Sequence, residues 1–418
     1  MINYNKFVLT NGLRVLVHED PTTPMACVNV LYDVGARDED PDRTGFAHLF
    51  EHLMFGGSVN IPNYDEVLQQ VGGENNAFTS NDITNYYITL PAVNLETALW
   101  LESDRMLSLA FNEQSLEVQR QVVIEEFKQR YLNQPYGDVW LRLRPLAYQQ
   151  HPYRWATIGK NIAHIEQATM EEVKHFFQTF YHPSNAIMVI AGDVKVDAVK
   201  QLVEKWFDTI PDHPVKKRSL PQEVPQQAAR RESVEADVPV DSIYIAFHGP
   251  DRHHTDYYTL DLVSDLLSRG SSSRLYRTLV KEEQLFVDVN AYLMGSVDSN
   301  LFVVEGKPSD GVSLEQAEQA LWEQLEHLKS EMVSETELQK VKNKVESTMV
   351  FSELSVLDKA MNLAYFELLG DANDYNKEVA KYTRINVADI QRVSSEIFRA
   401  ENSSTLLYKA KQQEAHVE

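Results

Sequence analysis

The sequence is poor in cysteine, in basic residues and in long apolar runs. Its one cysteine, Cys27, lies in the apolar run ACVNVLY. This excludes an internal disulfide and a cysteine-rich metal site, and it favours a buried thiol over a reactive one. No segment approaches the roughly 18 consecutive apolar residues that a membrane-spanning helix needs, so we expect no membrane partner.

Basic residues are outnumbered, since 39 lysines and arginines stand against 62 aspartates and glutamates and give a formal net charge of −23. Binding to nucleic acid requires a concentration of lysine and arginine against the phosphates, and this composition argues against it. Basic polypeptides would be attracted instead. The first residues, MINYNKFVLTNG, lack the basic segment and apolar core of a secretory signal, so we expect a soluble cytoplasmic protein.

Domain organisation is indicated by the length of the chain and by one proline-rich stretch. A chain of 418 residues exceeds one ordinary core and suggests two domains. The stretch from Pro211 to Arg231 is rich in proline and lacks apolar periodicity, which is typical of a linker. We therefore predict a first domain at residues 1–215, a linker at 216–232 and a second domain at 233–418.

The two halves show signs of a duplication. The run SIYIAF in the second half aligns with ACVNVLY in the first, and the last helix and strand align with TMEEVKHFFQTFYHPSNAIMVIAG at an offset of 217 residues. In this register Asn402 corresponds to Asn185. Matches at both ends of each half indicate duplication of one α/β unit, although a similar order of helices and strands alone would also produce matches this short.

Two histidines suggest a metal site. The segment GFAHLFEHLMF, residues 45–55, is predicted to be helical and contains His48, Glu51 and His52. Residues four apart share a face of a helix, so the two imidazoles can reach one metal ion, with Glu51 beside them. This H-x-x-E-H pattern is the inverted zincin motif. A catalytic zinc site uses three protein ligands and a water, so a third ligand is needed.

The third ligand is sought on the amphipathic helix predicted for residues 113–132. Its apolar stripe consists of Leu116, Val123, Phe127 and Tyr131. At about 100° per residue, Glu126 borders this stripe and Glu125 lies on the opposite, solvent side. This favours Glu126 as the ligand, provided that the helical phase is right.

A purely structural interpretation stays open on these residues alone. In that interpretation His48 and His52 are partly buried side chains that pack against Phe50 and Phe55, and Glu126 is an ordinary surface residue. A chain with 13 histidines can contain the five-residue pattern by chance.

Several blocks along the chain resemble one protein family. They are, in order, TNGLRVLV, VGARDED, GFAHLFEHLMFGG, GGENNAFTSNDITNYYITLP, RQVVIEEF and HPSNAIMVIAGD. Over nearly its full length the sequence is similar to zinc peptidases of the pitrilysin and insulin-degrading enzyme family, in particular to short members related to mitochondrial processing peptidase. The resemblance implies zinc (Zn2+) bound by His48, His52 and Glu126, with Glu51 as the general base.

The resemblance also implies a fold and a substrate-binding strand. The expected fold class is α+β, with two homologous domains, each a mostly antiparallel sheet covered by helices. Asn76, Ala77 and Phe78 match the family's edge strand, onto which an extended peptide adds by backbone hydrogen bonds. A plain structural hairpin is the alternative for this segment.

Three positions depart from the family pattern. The family often has a second glutamate where this chain has Gln119, whose amide can orient a neighbouring group but cannot act as a carboxylate. Val280 and Val287 take the places of an arginine and a tyrosine, and a valine side chain donates no hydrogen bond. Arg274 and Tyr276 have the wrong spacing to replace them, and we interpret both as structural.

These features lead to one functional hypothesis with two alternatives. We expect a zinc metallopeptidase subunit that hydrolyses peptides or unfolded segments and forms a heterodimer with a related subunit, which lacks the zinc motif and supplies the arginine and tyrosine. A homodimer stays open. The first alternative is a non-proteolytic peptide-binding or assembly subunit, like the core subunits of respiratory complexes. The second is a metal-binding protein without peptidase activity.

Overall fold

The computed structural model describes residues 1–215 and 218–411, which divide into two compact units. The first unit consists of Met1–Lys128, Trp155–Leu220 and Thr348–Glu378. The second consists of Gln129–Arg154, Pro221–Ser347 and Val379–Glu418, of which residues 412–418 lie outside the described part. Within the described ranges, no helix is both long enough and apolar enough to cross a membrane.

Strands and helices are mixed along the chain. The strands are β1 (Asn5–Val8), β2 (Arg14–Glu19), β3 (Met25–Tyr32), β4 (Glu74–Thr79), β5 (Thr84–Pro91), β6 (Ala186–Gly192), β7 (Arg230–Ala236), β8 (Ser242–Gly249), β9 (Phe286–Leu293), β10 (Asn300–Pro308) and β11 (Ser403–Ala410). The α-helices are α1 (Phe46–Leu53), α2 (Tyr64–Gln70), α3 (Leu95–Leu107), α4 (Glu113–Phe127), α5 (Val139–Ala147), α6 (Ile162–Glu166), α7 (Met170–Phe180), α8 (Val196–Phe207), α9 (Asp256–Ser268), α10 (Leu314–Ser330), α11 (Glu335–Ser352), α12 (Val356–Leu369), α13 (Glu378–Thr383) and α14 (Val387–Ile397).

The first unit is built on a sheet with the strand order β1-β2-β6-β3-β5-β4. All neighbouring strands are antiparallel except β2 and β6, which are parallel. Every side chain of β6 is buried, and so is nearly every side chain of the neighbouring β3. Since successive side chains of a strand point to opposite faces, both faces of the sheet centre are covered.

The second unit repeats this arrangement with the strand order β7-β11-β8-β10-β9. Here β7 and β11 are parallel and the other neighbours are antiparallel. A core cluster of this unit joins side chains of β8, β9 and β10 to side chains from α9, α10 and α14. Two mostly antiparallel sheets covered by helices confirm the predicted α+β class.

The duplication is visible in matching local contacts. Helices α7 and α14 each have 11 residues, and both begin with a capping box. The side-chain amide of Asn185 donates a hydrogen bond to the carbonyl oxygen of Phe180 at 2.8 Å, and that of Asn402 donates to the carbonyl oxygen of Ile397 at 2.9 Å. The two asparagines therefore occupy equivalent positions, in the register that the sequence predicts.

The units differ from the predicted contiguous domains in two segments. Residues 129–154, which contain α5, belong to the second unit, and residues 348–378, which contain α12, belong to the first. Helix α5 packs on β8 and β11, whereas α12 packs on β3 and β6. Lys359 of α12 also forms an ion pair, at 2.5 Å, with Asp20, the residue after β2. An amphipathic pattern shows that a helix covers a sheet but does not show which of two similar sheets it covers.

Described residues of the predicted linker at 216–232 form ion pairs and part of a strand. The first residues of the linker, Lys216 and Lys217, lie outside the described residues. Arg218 forms ion pairs with Asp33 at 2.9 Å and Asp38 at 2.7 Å. The last three residues of the predicted linker form the start of β7, which is an edge strand of the described sheet. The sequence of β7, RRESVEA, is rich in charged residues and lacks the apolar pattern from which a strand is predicted.

Candidate metal centre

The residue before α1 is a glycine that the local structure requires. Gly45 has a φ of 94°, in the left-handed region, and a Cβ at this position would lie 2.6 Å from the carbonyl oxygen of Ile158. The buried carboxyl group of Glu39 accepts hydrogen bonds from the N–H groups of Gly45 at 2.9 Å and Ala47 at 2.8 Å. These contacts satisfy backbone donors at the first turn and fix the start of α1.

Three predicted ligands converge between α1 and α4. The Oε2 atom of Glu126 lies 3.3 Å from Nε2 of His52 and 3.7 Å from Nε2 of His48. The two imidazole rings are 4.9 Å apart between centroids and nearly perpendicular, at 80°. One potential ligand atom from each residue lies within 4.8 Å of the others. The structure thus brings His48, His52 and Glu126 to one point.

The geometry of this cluster fits zinc. Ligand atoms at the usual zinc distances of about 2.0–2.1 Å in a tetrahedron lie about 3.3 Å from one another. The separations of 3.3 Å and 3.7 Å from the Glu126 oxygen are close to that value. Two imidazole nitrogens and one carboxylate oxygen are also the donor set of a catalytic zinc site with a fourth position for water. Across residues 1–215 and 218–411, no second cluster of three such ligand atoms is found.

The two neighbouring glutamates of α4 have different surroundings. The side chain of Glu125 is 57% exposed and pairs with Lys128 at 2.7 Å, whereas that of Glu126 is 17% exposed. Val123 and Phe127 are buried on the same helix. The helical phase predicted from the apolar stripe is therefore the observed one, and it turns Glu126 towards α1.

Glu51 lies on α1 between His48 and His52, two of the three predicted ligands. It follows His48 by three residues, so the two share a face of the helix. Its Oε2 atom accepts a hydrogen bond of 2.7 Å from the hydroxyl of Thr79. A carboxylate with one oxygen engaged in this way has a second oxygen available for proton transfer.

The predicted substrate-binding residues lie on β4, which is an edge strand of the described sheet and pairs with β5 alone. Asn76 is exposed, while Ala77 and Phe78 are half-buried. The N–H of Ala77 donates to the side-chain Oδ1 of Asn76 at 2.8 Å, so it points away from β5. Gln119 lies half-buried on α4, about two turns before Glu126.

The departures in the second half lie within the second unit. Val280 packs partly buried against the core of that unit, and Val287 is 66% exposed on β9. The guanidinium of Arg274 donates two hydrogen bonds to the carboxylate of Glu337, at 2.8 Å and 2.9 Å. Tyr276 lies beneath the ammonium group of Lys281. Arg274 and Tyr276 therefore both contact residues of the second unit itself.

Two residues that contact the site were not identified from the sequence. Glu39 accepts a hydrogen bond from Gly45 at the helix start, although it lies six positions earlier in the chain. This separation is outside the spacing of an ordinary helix cap. Thr79 reaches Glu51 across 28 positions of the chain, where no spacing rule applies. The contacts of both depend on how α1 packs against its neighbours.

Replacing Glu39 by alanine is expected to destabilise the first unit and to weaken metal binding. The N–H groups of Gly45 and Ala47 would stay buried without an acceptor, at a cost of about 1–3 kcal/mol for each unpaired group. We expect a lower melting temperature and a higher zinc Kd for E39A, measured by calorimetry and by competition with a chelator. Unchanged values of both would show that Glu39 does not hold the helix.

Glutamine at position 39 is the matched control, because its amide oxygen keeps one acceptor. Burial raises the pKa of Glu39 to about 8, although its two N–H contacts oppose the rise. An unfolded glutamate has a pKa of about 4.3, so the unfolded state loses its proton first as the pH rises. The contribution of Glu39 to the free energy of unfolding should therefore decrease between about pH 4.3 and about pH 8. E39Q lacks this titration, and its melting temperature is expected to fall less over the same range.

Comparisons with known proteins show which family the chain resembles. The family model described as Insulinase (Peptidase family M16) matches residues 14–158, and the one described as Peptidase M16 inactive domain matches residues 167–345. A zinc protease PqqE of Helicobacter pylori is 31% identical over 412 residues, which are 97% of this chain and 93% of that protein. A probable mitochondrial-processing peptidase subunit beta of Arabidopsis thaliana is 28% identical over 263 residues, 62% of this chain and 49% of that protein.

Among solved structures, a protease from Helicobacter pylori matches with a TM-score of 0.92 and 30% identity, and the match covers 98% of this chain and 100% of that one. The two family models match consecutive segments that together cover most of the chain. The resemblance predicted from the sequence blocks is thereby confirmed. The chain belongs to peptidase family M16, the insulinase family.

Proposed function

We propose that this chain is the zinc-binding, catalytic subunit of a peptidase that hydrolyses peptides or unfolded polypeptide segments. The observation that supports it most is the convergence of His48, His52 and Glu126 within 4.8 Å, with Glu51 on the same helix as the histidines. A binding protein has no need of a three-ligand set with an adjacent carboxylate. The relative from Helicobacter pylori is named a zinc protease.

In the proposed reaction the chain's own residues move one proton and hold one metal. When bound, zinc would act as a Lewis acid that polarises the scissile carbonyl and lowers the pKa of water. The imidazoles of His48 and His52 and the carboxylate of Glu126 would hold it, and Glu51 would take the proton of the attacking water. Glu51 then delivers this proton to the leaving amine, so the peptide bond is cleaved without a covalent enzyme intermediate.

The edge strand β4 is the proposed binding site for the peptide backbone. Its free side offers N–H and C=O groups at every second residue, including Ala77, to an extended chain. The side chain of Asn76 accepts the hydrogen bond of the Ala77 N–H, and it would be displaced when a peptide binds along the strand. Recognition through the backbone tolerates many sequences, so we propose broad specificity for extended or unfolded segments.

A partner subunit is part of the proposal. Val280 and Val287 offer no hydrogen-bond donor at the positions where complete family members have an arginine and a tyrosine. The relative from Arabidopsis is named as a subunit. We propose a heterodimer in which a related chain supplies these two groups, with a homodimer as the alternative. The cytoplasmic location stays a prediction.

The second candidate function is a non-proteolytic peptide-binding or assembly subunit. It is favoured by Val280 and Val287, which leave this chain without the two polar groups. It is disfavoured by the presence of the three zinc-ligand side chains together with Glu51, none of which a purely binding role requires. Activity measurements on the assembled protein distinguish the two.

Mixing this chain with a related subunit that contains the arginine and tyrosine is expected to raise the rate of peptide hydrolysis by about 100-fold or more, because one lost hydrogen-bond donor to the transition state costs about 10²–10³-fold. The assay is cleavage of a fluorescence-quenched, unstructured peptide by each chain alone and by the mixture. A mixture that contains the E51Q chain is the control and should be inactive. Full activity of this chain alone would contradict the partner requirement, and a zinc-loaded mixture without activity would favour the assembly role.

A further inference from the structure

We propose that Thr79 is a positioning residue for Glu51, and that it ties the general base to the strand on which the substrate is bound. This inference rests on the proposed function. Thr79 is the last residue of β4, and its hydroxyl donates to Oε2 of Glu51 at 2.7 Å. Thr79 lies outside α1, 28 positions after Glu51 in the chain.

The hydrogen bond has a defined direction. A threonine hydroxyl has one proton, and an ionised carboxylate can only accept, so Thr79 donates and Glu51 accepts. The other acceptor near the hydroxyl is the carbonyl oxygen of Ala47, at 3.5 Å, which is too long to compete. Oε2 is therefore engaged, and Oε1 is the oxygen that can take a proton from water.

A glutamate on a helix surface otherwise samples several rotamers. Its side chain has three rotatable bonds, and a half-buried position next to an open metal site leaves room for more than one arrangement. A charge-assisted hydrogen bond to a strand residue selects one of them. Fixing the carboxylate beside the attacking water is a matter of orientation, and misplacement of a catalytic group by about 1 Å can lower a rate about 100-fold.

The same strand is proposed to hold the substrate. Thr79 follows Asn76, Ala77 and Phe78 without a break, and the pairing of β4 with β5 continues to the pair of Thr79 with Thr84. A paired strand has a fixed rise of about 3.3 Å per residue. The distance between the bound peptide backbone and the base is therefore set by one rigid element.

A role in closing the adjacent turn does not account for the Thr79 hydroxyl. The turn is closed by Ser80, whose backbone N–H donates to the carbonyl oxygen of Ile83 at 2.8 Å and whose hydroxyl accepts from the N–H of Asp82 at 3.1 Å. Across the strand pair, the hydroxyl of Thr84 donates to the carbonyl oxygen of Val34 at 3.0 Å. The contact of Thr79 with Glu51 is not needed for these bonds.

The test compares Thr79→Val, which removes the hydroxyl at nearly constant shape, with Thr79→Ser, which keeps it. In the zinc-loaded assembly with the partner subunit, we expect T79V to lower kcat by about 10- to 100-fold and to leave KM within about twofold. T79S should recover most of the wild-type kcat. Both variants should keep the zinc content of the wild type.

Thr84→Val is the matched control, because it removes a hydroxyl at the same end of the strand pair that donates to the carbonyl oxygen of Val34 and not to Glu51. It is expected to lower the melting temperature while kcat stays within about twofold of the wild type. Wild-type kcat in T79V, equal losses in T79V and T79S, or a change in KM alone would overturn the positioning role. So would a loss of kcat in T84V as large as that in T79V.

A crystal structure of zinc-loaded T79V separates this inference from the proposed function. We expect the Glu51 carboxylate to be displaced or to occupy more than one rotamer. A Glu51 side chain that keeps its wild-type position without the hydroxyl would overturn the inference. This readout needs no activity, whereas failure of the wild-type assembly to hydrolyse any peptide would count against the proposed function alone.

Discussion

Glu51→Gln is expected to lower the rate of peptide hydrolysis by about 10³- to 10⁴-fold, at the upper end of what general acid–base catalysis contributes. The amide has nearly the shape of the carboxylate but cannot take a proton from water. Because Glu51 is not among the three clustered ligand side chains, the variant should keep the zinc content of the wild type. The measurement is kcat for a quenched peptide together with zinc analysis of the same sample.

The control for this variant is Glu125→Gln, which makes the same chemical change at an exposed position paired with Lys128. It should leave both kcat and zinc content unchanged. A rate for E51Q within about tenfold of the wild type would contradict the role of Glu51 as the base. Loss of zinc from E51Q would show instead that Glu51 is a ligand.

Glu126→Ala is expected to weaken zinc binding by about 10³-fold or more, since loss of even an outer partner of a zinc ligand costs about 10- to 100-fold in affinity. Only the two imidazoles of α1 would remain, and two ligands do not make a catalytic site. Zinc affinity is measured by competition with a chromophoric chelator, and peptide hydrolysis should fall in parallel.

Glu125→Ala is the matched control for the ligand test, because it deletes a carboxylate from the neighbouring position of the same helix. Its side chain is 57% exposed, against 17% for Glu126. E125A should therefore bind zinc as the wild type does. Equal zinc affinities of E126A and the wild type would contradict the assignment of the third ligand, and so would an equal weakening in both variants.

The features that the sequence predicts well are those with a local period. The spacing of His48 and His52 depends only on the helical repeat, and α1 presents both imidazoles to one point. The choice of Glu126 over Glu125 depends on the phase of one apolar stripe, which Val123 and Phe127 define, and the structure has the same phase. The metal-binding role of these residues stays a proposal.

The features that the sequence does not predict depend on packing between distant segments. The N–H groups of Gly45 and Ala47 find their acceptor on Glu39 because a preceding loop folds back onto the helix start. Thr79 reaches Glu51 because the end of β4 meets α1. Such contacts leave no periodic trace in the chain, since they follow from the path of the backbone in three dimensions.

The assignment of α5 and α12 to the two units has a related explanation. Each helix has an apolar face of ordinary appearance, and the two sheets are copies of one design. The ion pair of Lys359 with Asp20 ties α12 to the sheet of the first unit, although the helix follows the second sheet in the chain. A contiguous division of the sequence cannot anticipate this pairing.

The most direct test of the central claim is a zinc titration of the metal-free chain in the presence of its partner subunit, with peptide hydrolysis followed at each addition. The account predicts no hydrolysis without metal, a rise in proportion to added zinc, and saturation at about one zinc per chain, with no response from E126A. A metal-free protein that already hydrolyses the peptide at the full rate would contradict the account. So would a response to zinc in E126A equal to that of the wild type.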